Sequence, residues 1–251
     1  MRRSPRLKLM NTKLIRSLQI KKFRESERLF VVEGVKMVEE ALASGFHVPM
    51  VYVSREDLFA STPQRQLISE REMGQISQLS SPSPALALVE IPQRALPESY
   101  DAQALYIGLD AVRDPGNLGT MLRIADWFGI AAIFASPDTV EVYNPKVIQA
   151  SMGAIFRIPV YYTPLEALIH TAGLPVLGTS LDGQPLYEAE FEPHGLLLMG
   201  SESHGLSPAL QKLADQLLYI PSYPANAQGS ESLNVAVATA VICAEFRRRA
   251  K

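Results

Sequence analysis

Residues 109–129, Leu-Asp-Ala-Val-Arg-Asp-Pro-Gly-Asn-Leu-Gly-Thr-Met-Leu-Arg-Ile-Ala-Asp-Trp-Phe-Gly, put Asn117 and Arg123 near the start of an expected helix. A helix start offers unpaired backbone N–H groups and the positive end of the dipole. An amide and a guanidinium there suit an anion, either a phosphate or an oxygen that gains charge during a reaction. The two residues are six apart and not strictly co-facial, so the loop before them must help bring them together. The same residues also fit an ordinary strand-to-helix turn with a surface arginine, and spacing alone does not choose.

Two further loops could join this one. Gly200-Ser-Glu-Ser-His-Gly205 leaves an expected strand with glycines that let backbone approach a ligand closely. Ile220-Pro221 through Ser230-Glu-Ser-Leu-Asn-Val235 ends in polar residues at the start of the last helix, where Ser and Asn also serve as caps. In an open α/β sheet, ligands collect at the carboxyl ends of strands, which makes 110–117, 200–206 and 221–232 the natural site.

The elements that must carry these loops follow from periodicity. Leu118, Met121, Leu122, Ala125 and Phe128 share a helical face that Gly129 stops, fed by a strand at Ala104–Leu109. Strands are expected at 131–135, 176–179, 196–199 and 217–220, and helices at 145–152, from Ser207-Pro208, and from Leu233 to about Arg249. Thr163-Pro164-Leu165-Glu166 reads as a capping box whose helix Gly173 stops. Near-continuous apolar strands alternating with helices predict a parallel sheet covered on both faces.

Upstream, residues 8–20 read as helix and Leu29–Glu33 as a buried strand. Val35, Val38, Ala41 and Leu42 line a helix closed by Gly45, and Met50–Val53 and Ala85–Val89 are strands. Ser69-Glu-Arg-Glu72 is a capping box before Met73, Ile76 and Leu79. The polar, proline-containing stretch 91–103 lacks periodicity. The expected domains are therefore 1–92, a linker at 93–103, and 104–251.

Composition narrows the chemistry. With 251 residues, 47% hydrophobic and 20% charged, the chain has a real core, and no apolar run approaches a bilayer span. No apolar segment beside a cleavage site marks a secretory signal, so a cytoplasmic protein is expected. One cysteine, Cys243, and four scattered histidines exclude a cysteine-cluster zinc site and leave metal-free chemistry as the expectation. The net charge of −2 hides an asymmetry: residues 1–28 hold ten Lys or Arg against two Glu, a local +8 that leaves −10 elsewhere. Lys21, Lys22, Arg24 and Arg28 belong to this patch, which could neutralise phosphates or be a solvated end. Neither G-x-G-x-x-G after a strand nor G-x-x-x-x-G-K-[ST] occurs, which disfavours dinucleotide enzymes and P-loop NTPases. No Ser/His/Asp or Cys/His set is recognisable.

Taken together, these stretches resemble the SpoU (TrmH-like) family of RNA ribose 2′-O-methyltransferases in the SPOUT superfamily. The first motif looks like Asp114-Pro-Gly-Asn-Leu-Gly119 with Arg123 and Phe128-Gly129, and a middle signature looks like Tyr143 to Pro159. The second motif looks like Leu198 to Leu206, and the third like Ile220-Pro221 with Ser232-Leu-Asn-Val235. Residues 15–90 resemble the family's RNA-binding domain, Phe30-Val-Val-Glu-Gly34 most of all.

The resemblance implies an α/β fold: a C-terminal parallel-sheet SPOUT methyltransferase domain tied in a trefoil knot, an exception to the rule against threading, with a smaller N-terminal α/β RNA-binding domain. It implies S-adenosyl-L-methionine held mainly by backbone of Gly200, Ile220 and Leu233, with Ser201 and Gly205 beside them. It also implies homodimers whose sites lie at the interface, so that Asn117 and Arg123 would act with the second and third motifs of the partner. Catalytic candidates are Asn117, Arg123, Glu202, Ser232 and Asn234, acting on ribosomal or transfer RNA. Whether Arg123 takes the proton or orients the hydroxyl and phosphate stays open, because guanidinium essentially never deprotonates in proteins. The span from Ile220 to Leu233 is about four residues longer than the family pattern, and Gln149 stands where arginine is frequent. A non-catalytic RNA-binding or assembly factor is the alternative. A degenerate member should lack Asn117, Arg123, Glu202 or Asn234, and all four are present.

Overall fold

Two sheets carry the chain in the computed structural model, which describes residues 11–224 and 232–250. They belong to two units. One takes in the chain to Gln93 together with Tyr143–Arg157, and the other Arg94–Val142 with Ile158 to the end. The first division falls inside the expected linker. The return of 143–157 to the first unit departs from the expected continuous domain 104–251. Aromatic packing explains the departure: Tyr143 and Phe156 lie 4.8 and 6.5 Å from the Phe30 ring, and Arg157 pairs with Glu40.

In the first unit, helices α1 (Thr12–Ser17) and α2 (Lys21–Glu27) precede strand β1 (Leu29–Glu33) and helix α3 (Val35–Ala43). Strands β2 (Met50–Val53) and β3 (Arg65–Leu67), helix α4 (Glu70–Ile76), strand β4 (Ala85–Glu90) and the distant helix α6 (Pro145–Ser151) complete it. The sheet order is β1-β4-β2-β3, and only β2 and β3 pair in parallel. Ile15, Leu18, Leu29, Val31, Tyr52, Met73, Ile76, Leu86 and Leu88 form its core. The Ser69 capping box is present, with Ser69 N–H donating to Glu72 Oε2 at 2.8 Å. Glu33 is buried, and its carboxylate accepts from Ser77 Oγ and from the Gln78 and Ser83 N–H groups. This stretch therefore carries a structural anchor.

The single helix expected over 8–20 is instead α1, a break at 18–20, and α2; residues 8–10 lie outside the described residues. Arg24 folds back to donate to the Leu18 carbonyl at 2.8 Å, satisfying backbone where the first helix ends.

The second unit holds a six-stranded, wholly parallel sheet. Its elements are β5 (Leu105–Leu109), α5 (Pro115–Trp127), β6 (Ile133–Ala135), β7 (Val160–Tyr162) and α7 (Leu165–Ala172). They continue with β8 (Val176–Pro185), β9 (Gly195–Met199), α8 (Pro208–Leu213), β10 (Gln216–Tyr219) and α9 (Val235–Arg249). The order β10-β8-β9-β5-β6-β7 puts the first strand of the unit, β5, beside the fifth, β9. That reversal is a topological switch point, where a ligand crevice opens at the carboxyl ends. Tyr106, Phe134, Leu165, Leu168, Leu196, Leu198 and Leu210 fill one face of the sheet. On α5, Leu118, Met121, Leu122 and Ala125 are buried as expected, and Gly129, at φ +61°, stops the helix. Arg247 of α9 donates to the carbonyls of Phe128 and Gly129 at 2.6 and 2.8 Å, closing the end of α5.

The expected capping box at Thr163 does not form. Thr163 is buried and its N–H extends β7 by bonding Ala135, so Pro164 takes the cap position of α7 without a side-chain bond. Among the described residues, no helix is long and apolar enough to cross a membrane.

Candidate functional site

Parallel pairing sends the chain out of β5, β9 and β10 at one edge, so the three loops singled out by sequence share it. After β5, Asp114 caps α5: its Oδ1 accepts the Asn117 N–H at 2.8 Å, with Pro115 at the first helical position. Asn117 thereby sits in the first turn, half-buried.

After β9, Gly200 turns the chain. A Cβ at this position would stand 2.0 Å from the Gly205 carbonyl carbon and 2.1 Å from the Leu206 nitrogen, so two backbone segments touch where a side chain would be. Ser201 and Gly205 then bridge, N–H to carbonyl in both directions at 3.1 and 2.8 Å, with Gly205 at φ +65°. The closed loop presents Glu202 at its tip.

After β10 the chain passes Ile220, half-buried, and reaches Ser232, Leu233 and Asn234, all exposed. The intervening 225–231, which include Ser230, Glu231 and most of the longer loop, lie outside the described residues. Asn234 caps α9, its Oδ1 accepting from the N–H groups of Ala236 and Val237 at 3.0 and 3.2 Å. Its amide nitrogen donates to Asn117 Oδ1 at 2.9 Å and to Glu202 Oε1. All four hydrogen-bonding positions of this amide are used. Asn117, Glu202 and Asn234, one from each loop, therefore form one polar cluster within a single chain.

Arg123 is exposed on α5 and has no hydrogen-bond or ion-pair partner among the described residues. It is left outside the cluster, as is Ser232. Of the basic candidates, Lys21, Lys22 and Arg28 are exposed, Lys21 lying 3.7 Å from Glu25 and Arg28 donating to the Ile91 carbonyl. Arg24 is only 2% exposed, because its guanidinium serves Leu18; it is not a surface phosphate contact. Gln149 is exposed on α6.

Sequence reasoning missed Asp110 and Ser136. Asp110 Oδ2 accepts the Ser207 N–H at 2.8 Å, and Ser136 Oγ accepts the Ala111 N–H at 2.9 Å, holding the loop that leads to α5. The only sequence signal was the turn composition of Ser136-Pro-Asp-Thr139.

Comparison with known proteins supports this architecture. Residues 104–244 match the SpoU rRNA Methylase family model, and residues 10–87 match an MRM3-like substrate binding domain. The chain is 32% identical to the 23S rRNA (guanosine(2553)-2′-O)-methyltransferase RlmP of Bacillus subtilis, over 92% of this chain and 94% of that protein. A TrmH-family structure from Porphyromonas gingivalis superposes with a TM-score of 0.84 at 38% identity, covering 99% of this chain and all of that one. An AdoMet-bound rRNA methyltransferase from Sinorhizobium meliloti superposes at 0.83 and 31% identity, covering 95% and 94%.

Proposed function

The chain belongs to the SpoU rRNA Methylase family, and from that premise we propose that it methylates a ribose 2′-hydroxyl of ribosomal RNA using S-adenosylmethionine. The observation that carries this reading is the Asn117–Glu202–Asn234 cluster, which joins the three strand-end loops into one polar surface.

The residues fit the cofactor. Backbone approaches backbone at Gly200 with no room for a Cβ, which leaves main-chain groups to face a ligand there. Gly200, Ser201, Gly205, Ile220 and Leu233 would hold it, mainly through the main chain. When bound, S-adenosylmethionine supplies a methyl group already activated on a sulfonium.

The chain's own task is the nucleophile. A ribose hydroxyl ionises far above neutral pH, so developing charge on its oxygen must be met by a fixed positive group. Arg123 supplies that charge with a forked set of donors that also suits the adjoining phosphate. It does so as a permanent cation and not as the proton acceptor; the proton the hydroxyl loses as it takes the methyl group passes to solvent. Asn117, Glu202 and Asn234 orient the ribose, with Ser232 at the rim. Lys21, Lys22 and Arg28 of the substrate-binding domain neutralise phosphates of structured RNA, with the protein acting in the cytoplasm.

The knotted topology and the homodimer belong to the same reading. The likeness to a TrmH-family structure supports the first. Two exposed apolar side chains, Trp127 on α5 (84% exposed) and Val237 on α9 (50% exposed), support the second.

The test is transfer from labelled S-adenosylmethionine to ribosomal RNA lacking the modification, with the product mapped by mass spectrometry. A single 2′-O-methylated nucleotide is the expected result. Cofactor binding with no transfer to any RNA would favour the assembly-factor reading, and no cofactor binding would refute the proposal.

A further inference from the structure

We propose that Ser136 is a positioning residue for methyl transfer, its hydroxyl holding Ala111 in the left-handed backbone that aims α5 and Arg123. The inference rests on the site reading above and extends it to residues outside the three motifs.

Ala111 adopts φ +54°, a region that residues with a Cβ rarely occupy. No helix end accounts for it, since Ala111 lies in the loop between β5 and α5. Strain of this kind persists only where surroundings impose it. Here the surroundings are explicit. The Ala111 N–H donates to Ser136 Oγ at 2.9 Å, and Ser136 is 7% exposed. The Ser136 hydroxyl donates in turn to Asp138 Oδ1 at 2.7 Å, which leaves a lone pair turned toward Ala111. Thr139 Oγ1, 3.0 Å from Ser136 Oγ, donates to the Leu109 carbonyl at 3.2 Å.

The neighbours of Ala111 are clamped too. Asp110 N–H donates to the Met199 carbonyl and its carboxylate accepts the Ser207 N–H, so Asp110 grips both flanks of the Glu202 loop. The Val140 N–H bonds the Val112 carbonyl at 2.9 Å. Ala111 is thus the point where the chain turns from the Glu202 loop toward α5. Ser136 touches neither Asn117 nor Glu202; it acts through backbone direction.

Ser136→Ala should lower kcat about tenfold, the range of one buried hydrogen bond, with Kd for S-adenosylmethionine nearly unchanged and the melting midpoint lowered by only a few degrees. Ala111→Gly removes the Cβ penalty of the left-handed region, so the double variant Ser136→Ala/Ala111→Gly should recover most of the lost kcat. Should Ser136→Ala not fold, Asp138→Ala at an exposed carboxylate frees the hydroxyl and should give a smaller kcat loss that Ala111→Gly also reverses. Wild-type kcat in both variants, or a loss that Ala111→Gly leaves untouched, would overturn the proposal. A loss shared equally by cofactor affinity and melting would mark a merely structural serine. Failure of the site reading is separable, because full activity in Asn117→Ala and Arg123→Ala would refute that reading whatever Ser136 does.

Discussion

Asn234 and Asn117 stand 117 residues apart in the chain, yet the amide of Asn234 donates to the side-chain oxygen of Asn117 at 2.9 Å. The same amide caps α9 and reaches Glu202, so one side chain does two separable jobs. Asn234→Asp keeps the capping oxygen and adds a charge favoured at a helix start. It also removes the donor and sets a carboxylate against Glu202. We expect near-normal melting with methyl transfer reduced about a hundredfold. Asn234→Ala should in addition lose about 1 kcal/mol of stability with the cap. Thermal melts beside single-turnover transfer rates check both.

Arg123 can be tested for charge against base. Arg123→Ala should reduce transfer by about a hundredfold or more, with cofactor affinity within about threefold. Arg123→Lys keeps a cation but loses the fork. If Arg123 acts by charge, the lysine variant is slower at every pH and its profile keeps the wild-type shape. A base role predicts the opposite, a rate that climbs with pH as the ammonium deprotonates.

Gly200 offers no compliant neighbour. The atoms a Cβ would strike are main-chain carbon and nitrogen of Gly205 and Leu206, which cannot rotate away. Gly200→Ala should open the Ser201–Gly205 bridge and weaken S-adenosylmethionine binding by about tenfold or more. Calorimetric titration would measure this, and wild-type affinity would remove Gly200 from the cofactor site.

Much of this was legible from sequence, for identifiable reasons. Core strands such as Leu105–Leu109 and Gly195–Met199 are wholly buried, so their residues are almost all apolar and stand out. The short strands did not stand out: Arg65–Leu67 and Val160–Tyr162 lie at sheet edges, are three residues long, and are not fully buried. The break after Ser17 carries no Gly or Pro, because a guanidinium six residues on satisfies the backbone there.

The site divides in the same way. The identities of Asn117, Glu202 and Asn234 could be read from motifs, but their meeting in one chain depends on three strands ending at one edge. The positive φ of Ala111 was illegible, since a serine 25 residues away imposes it. Arg24 looked like its basic neighbours in sequence, and only packing withdraws it from the surface.

Glu245 gives a pH signature. Arg248 donates twice and Arg249 once to its carboxylate, each at 2.7 Å, and these bonds, Arg248 first, bring its pKa from 4.5 down to about 2. A depressed carboxylate stabilises the fold above its unfolded pKa and loses that contribution as pH falls through its folded one. Wild type should therefore melt higher than Glu245→Gln by a constant margin at neutral pH. The margin should shrink between the two pKa values and vanish near the lower one. Melting curves across that range check it, and a margin unchanged by pH would refute the ionic origin.

Which chain supplies Arg123 to a site is open to experiment. Arg123 and Trp127 are four apart on α5 and so share a helical face. If Trp127, 84% exposed, is buried by a second copy, Arg123 is carried to the same interface. Trp127→Glu should then shift the protein to monomer in sedimentation and lower transfer with it. Complementation decides the rest. In a dimer with sites shared across the interface, mixing Arg123→Ala with Asn234→Asp leaves one site of each heterodimer with both groups intact. Random exchange should thus restore about a quarter of wild-type activity. If Arg123 serves the Asn117–Glu202–Asn234 cluster of its own chain, every site in the mixture keeps one lesion and the activity stays at the level of the separate variants.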